Sequence, residues 1–109
     1  MQEAHFHEFL SEKQRLEDFL MTLREELNTS LEDFEKVSIE KLTWLLDLIN
    51  DNESLAIIIG NEFYKDFIQF QADFNRFVKT FEEIKRFKME ITLEGFLDRI
   101  DILQKDLLK

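Results

Sequence analysis

Residues 63–91 read FYKDFIQFQADFNRFVKTFEEIKRFKMEI, and this stretch decides the fold. Phe63, Phe67, Phe70, Phe74, Phe77, Phe81, Ile84 and Ile91 follow one another at spacings of four and three, with Lys88 the one polar residue in the series. Such spacings return side chains to one face of an α-helix, and a seven-residue repeat makes a seam along which helices pack. A strand would need spacing of two. Tyr64, Ile68 and Val78 form a thinner stripe beside the row, so this helix is expected to touch two others and to be the central element of a three-helix arrangement.

The chain has 109 residues, no proline, and glycine only at positions 60 and 95, which favours long helices and short connections within a single domain, 1–109. Working back from the ladder, Phe6, Phe9, Leu16, Leu20, Leu23, Leu27, Leu31, Phe34 and Val37 give a second seam, with Lys13 in its one skipped place. Asn28-Thr29-Ser30 offers a stop and restart, and Ser30 with Asp33 has capping-box spacing. The seam's phase is not reset there, so one helix over about 3–49 is favoured over two joined near 28–30; its length would be on the order of 65–70 Å. After Val37 a further stripe (Ile39, Leu42, Leu46, Ile49) appears opposite Trp44, Leu45 and Leu48, so this end is either sandwiched in the bundle or offers a face to a partner. Asn50 to Ser54 reads as a loop. Leu55 to Ile59 has strand propensity but no strand to pair with, and is read as helix. Gly60 marks a kink or a close crossing.

Working forward, Thr92 is the next start signal, and Leu93, Phe96, Ile100, Leu103 and Leu107 make a third seam. The expectation is all-α: an antiparallel bundle or coiled coil of two long helices, about 3–49 and 53–90, plus a shorter third over about 92–108.

Net charge is −10, with fourteen acids against five bases in residues 1–53 and ten against nine in 54–109. Such a surface repels nucleic-acid phosphates and anionic lipid. The Lys85, Arg86, Lys88 patch is flanked by Glu82, Glu83 and Glu90 and is a poor nucleic-acid footprint. There is no cysteine, no basic-then-apolar leader and no apolar run near the ~20 residues of a membrane span, so the chain is expected to be soluble and cytoplasmic. His5 and His7, two apart, lie far round a helix from one another, and Glu-x-x-His pairs are lacking, so no metal site is expected. With no phosphate loop, nucleophile elbow or zinc-protease motif, neither a cofactor nor an enzyme activity is expected.

Leu23, Glu26, Leu27, Leu31, Asp33 and Glu35, followed by Glu40, Lys41, Leu42, Leu45 and Leu46, resemble the long first helix of the FlgN/FliT-type flagellar (type III) export chaperones, over residues 16–49. The resemblance implies a small cytosolic helical protein that binds amphipathic C-terminal helices of hook-associated clients and delivers them to the export gate. Trp44, Leu46, Ile49, Phe87, Phe96 and Ile102 are the residues expected to face that partner. Two other classes fit the same residues: an acidic immunity or antitoxin-like protein that neutralises a basic effector, and a coiled-coil subunit using the Phe ladder between chains, for instance in a homodimer.

Overall fold

A computed structural model of the chain describes residues 2–108, with side chains described from residue 11 onward. The side chains of His5, Phe6, His7 and Phe9 lie outside the described residues. The fold is all-α, with no strand among the described residues: α1 (Gln2–Glu32), α2 (Ile39–Asp51), α3 (Glu53–Ile59), α4 (Asn61–Lys79) and α5 (Arg86–Leu108), with single 3₁₀ turns at Phe34–Lys36 and Phe81–Glu83. α2 and α3 make one bent leg, so the molecule is an antiparallel bundle of four legs, 53 × 22 × 22 Å overall. α1 packs on α5 and α3, and α4 packs on α5, α2 and α3. α1 and α4 thus stand at diagonal corners.

The first five members of the ladder are core, as its spacing predicts, whereas Phe81 and Ile84 are half-buried and Ile91 is exposed. Phe63, Phe67, Phe70, Phe74 and Phe77 are all buried. Their rings pair along the row, Phe63 with Phe67 at 6.1 Å between centroids, Phe70 with Phe74 at 6.0 Å and Phe74 with Phe77 at 5.7 Å. Each lies within the range in which aromatic pairs attract beyond simple burial. Because these rings are spent inside one chain, nothing in them is left for a ladder between chains.

Three boundaries differ from the sequence expectation. Helix 3–49 is two helices, broken not at 28–30 but at 33–38. Thr29 and Ser30 continue α1 by donating their hydroxyls to the carbonyls of Glu25 and Glu26, so neither is free to cap. Ser38 caps instead, its Oγ accepting from the Lys41 N–H at 3.2 Å. The stretch that resembles the chaperone helix is therefore α1, a corner and α2. Second, residues 50–54 are not a loop: α2 runs through Asn50 and Asp51, and the chain bends only at Asn52, whose side-chain amide donates to the Leu48 carbonyl at 2.8 Å. The reversal lies at Gly60 (φ 67°, ψ −151°) and Asn61 (φ 53°), so the expected helix 53–90 is split there. Third, that helix also ends at Lys79, and the last helix starts at Arg86 rather than Thr92. Thr80 and the extended Ile84 make a second corner.

The two corners are copies. Adding 47 to a residue number carries the first half onto the second: the 3₁₀ turn 34–36 onto 81–83, extended Val37 onto Ile84, and buried Leu16, Leu20, Leu23 and Leu27 onto Phe63, Phe67, Phe70 and Phe74. Asn28, Phe34, Glu35, Lys41, Leu46 and Asp51 recur unchanged as Asn75, Phe81, Glu82, Lys88, Leu93 and Asp98. The helix–helix contacts follow the same exchange, although the first 3₁₀ turn packs on α1 and α5 more fully than the second packs on α4 and α2. α1 against α5 matches α4 against α2, and each interface carries a polar bridge from equivalent positions: Arg24 to Asp101 and Gln104, and Gln71 to Asn50 at 2.9 Å. The bundle is an internal pseudo-dimer of two helical hairpins.

Three substitutions have expected effects on stability. Phe74→Ala removes a fully buried ring and is expected to cost about 3–5 kcal/mol, whereas Ile91→Ala, outside the core, should change stability by less than about 0.5 kcal/mol; urea unfolding midpoints measure both. Gly60→Ala meets no clash, its nearest neighbour being the Ile57 carbonyl oxygen at 3.8 Å, yet its backbone conformation is one that alanine avoids. A loss of about 1–3 kcal/mol is expected from that strain alone.

Candidate partner-binding surface

The six residues expected to meet a partner divide in two. Ile49 and Phe96 are core: Ile49 is fully buried, and the Phe96 ring sits 5.3, 5.0 and 5.4 Å from Phe70, Phe74 and Phe77. They are positioned to hold α2 and α5 onto α4 and have no surface to offer. Leu46 is half-buried and packs against the core edge. Trp44, Phe87 and Ile102 are exposed, at 47, 60 and 49% of their full surface. Trp44 lies on α2 and the other two on α5, the opposite diagonal corner, so one small partner could not cover all three.

Sequence reading missed Ile91, 64% exposed, and Gly95. With α5 starting at Arg86, residues 87, 91, 95, 98 and 102 fall on one face, within about 80° at 100° per residue. The signal was present in the spacing. It was hidden because Ile91 also continues the ladder's count, and a helix assumed to run on to 90 assigns it to the core. The buried positions of α5 (Met89, Leu93, Phe96, Ile100, Leu103, Leu107) lie on the opposite side. α5 therefore carries apolar residues on two opposed faces, one spent on the bundle and one, interrupted by Asp98, facing outward for about 22 Å.

The surroundings of this outer face are acidic. Arg99 turns away to pair with Asp73 at 2.7 Å, its guanidinium 5.4 Å above the Phe70 ring, and Asp101 is held by Arg24. Of the charges left between Phe87 and Ile102, Glu90, Glu94 and Asp98 outnumber Lys88, and none of the four has an ion-pair partner among the described residues.

A second concave surface closes the end of the bundle where the two corners meet. Phe34, Val37, Phe81 and Ile84 from the paired turns, with Met89, line a recess of about 430 Å³. An Arg86–Glu35 ion pair ties one corner to the start of α5. Exposed Ile57 and Ile58 form a smaller patch on α3.

No three His, Asp or Glu side chains converge among the described residues as a metal site would need. No helix among them is long and apolar enough to cross a membrane. Compared with known protein families, with curated proteins and with solved structures, the chain matches none.

Trp44 is the chain's one tryptophan, so its exposure is directly readable. Acrylamide is expected to quench its fluorescence efficiently in the folded protein, with only a small further gain on unfolding in urea. Strong protection in the native state would show α2's outer face covered, by a second copy or by the chain itself.

Proposed function

We propose that this is a non-enzymatic, cytoplasmic helix-binding protein, most specifically an export chaperone for amphipathic helices of secreted, flagellar hook-associated clients. The observation that carries the reading is the outward apolar face of α5, with Phe87, Ile91 and Ile102 exposed along a helix whose other face already fills the core. An isolated exposed apolar residue is ordinary, but three on one helical face, parted by Gly95 and Asp98, follow the spacing by which helices recognise helices. The resemblance of residues 16–49 to the export chaperones supplies the client class. A folded bundle that keeps its own core closed while presenting such a stripe can shield a client's apolar face from aggregation and release it without unfolding.

The net charge favours a second reading, an acidic immunity-like protein bound to a basic effector, with the excess concentrated in residues 1–53. The two are separated by what binds and how salt acts. Calorimetry with C-terminal helices of hook-associated proteins should give a complex that weakens at raised salt but is not lost, because salt screens the charged flanks and leaves apolar burial little changed. Ile91→Glu should abolish that complex while circular dichroism shows unchanged helicity. Absence of binding to every such helix would overturn the chaperone reading; tight binding to a cationic toxin domain that collapses with salt would put the immunity reading in its place.

A further inference from the structure

We infer that the outer face of α5 is a docking site for a cationic amphipathic helix of another protein, which crosses α5 at Gly95. The inference rests on the helix-binding part of the reading above and adds the place, the geometry and the charge of the partner. Gly95 is the first observation. It sits mid-helix in ordinary helical conformation, where glycine costs helix stability relative to alanine. Nothing in the bundle requires it, since a Cβ built there meets no atom within 4 Å. The equivalent position in the first hairpin is Leu48, so the repeat has no need of a glycine at this point. What glycine uniquely permits is close approach of another backbone, and interhelical distance is set by the side chains at the crossing. Phe87 and Ile91 on one side of Gly95 and Ile102 on the other then flank the crossing as apolar walls.

Charge selects the occupant. The unpaired charges along the face are predominantly acidic, and the molecule carries −10 overall. A second copy would bring −10 against −10. Antiparallel pairing of two α5 helices about a two-fold axis at Gly95 would also bring Glu94 up to its own copy, because in an isologous contact the residues beside the axis meet themselves. A helix with an apolar seam, a small residue at its centre and Lys or Arg along its flanks satisfies both the shape and the field.

The test uses the full chain and a synthetic amphipathic peptide of about 18 residues, long enough to span the stripe, with leucines and one central alanine on its seam and Lys/Arg flanks. A twin peptide carries Glu flanks. The cationic peptide is expected to bind and the Glu twin not to. Gly95→Ala should raise the thermal unfolding midpoint, because alanine favours helix, and yet weaken the cationic peptide by about tenfold or more. Gly95→Leu, which restores the residue of the first hairpin, should remove binding with the fold intact. A purely structural glycine would move stability and affinity together, so this opposition is the diagnostic. Unchanged affinity in Gly95→Ala, equal binding of both peptides, or a dimer of the free protein that Ile91→Ser dissolves would each overturn the inference. If hook-associated helices bind but ignore every α5 substitution, the chaperone reading stands and this site falls. If the cationic peptide binds with the Gly95 signature and no such client does, the site stands and the export reading falls.

Discussion

The burial of one aromatic row on α4 is the constraint from which the rest of the molecule takes its shape. Five phenylalanine side chains on a single helix face cannot be covered by one neighbour, because each ring presents far more surface than a leucine. α4 is accordingly walled by α5 on one side and the α2–α3 leg on the other. α1, at the diagonal corner, closes the remaining gap with leucines, and Phe19 of α1 reaches Phe67 across the core at 6.3 Å. The two diagonal helices divide the volume unequally: large rings from α4, smaller branched chains from α1. That division breaks the symmetry of what is otherwise a repeated hairpin, and it disfavours an exchange of the two halves, since two Phe-bearing helices facing one another would overfill the centre.

The repeat also accounts for the corners. Each half folds back on itself through one 3₁₀ turn followed by two non-helical residues, and in each the turn begins with Phe and ends against Val or Ile. Those apolar residues are half-buried against the end of the core. They act as stoppers that seal the bundle where helices of about thirty ångström length would otherwise leave the last ladder ring, Phe77, open to water. A break made this way needs no proline or glycine, because tertiary packing, and not backbone chemistry, holds the turn.

Helical class, core residues and the covering of the Phe row were legible because spacing of three and four is a direct image of the helix period. The breaks at 33–38 and 80–85 were not. Phe34 and Val37, like Phe81 and Ile84, keep the same three-residue interval through a 3₁₀ turn that they would keep in a continuous helix, so the apolar phase survives where the helix does not. Asn50 to Ser54 misled in the other direction: its residues satisfy turn chemistry, but α2 and α3 carry them in helix and only Asn52 is spent on the bend. The candidate surface was half legible for a related reason. Phe87 and Ile102 show as surplus apolar residues once the seams are counted, whereas Ile91 was absorbed by a ladder that had already ended, and Ile49 and Phe96 were needed inside.

The two halves differ on the outward faces of α2 and α5. On α2, the face equivalent to the outer side of α5 carries Glu40, Trp44, Leu48 and Asp51 and ends at buried Leu55, so only Trp44 stands out as a large exposed apolar residue. On α5 the same register reads Phe87, Ile91, Gly95, Asp98 and Ile102, with two exposed apolar residues before the glycine and one after it. A repeat preserves positions that the fold needs, as the paired stoppers and the bridging Arg24 and Gln71 show. The positions at which one copy departs from the other toward exposed apolar bulk around a glycine are not explained by folding, because each change either leaves stability untouched or lowers it. Their effect is on what α5 presents outward: three exposed apolar side chains about a glycine, where the equivalent face of the first hairpin presents Trp44 alone.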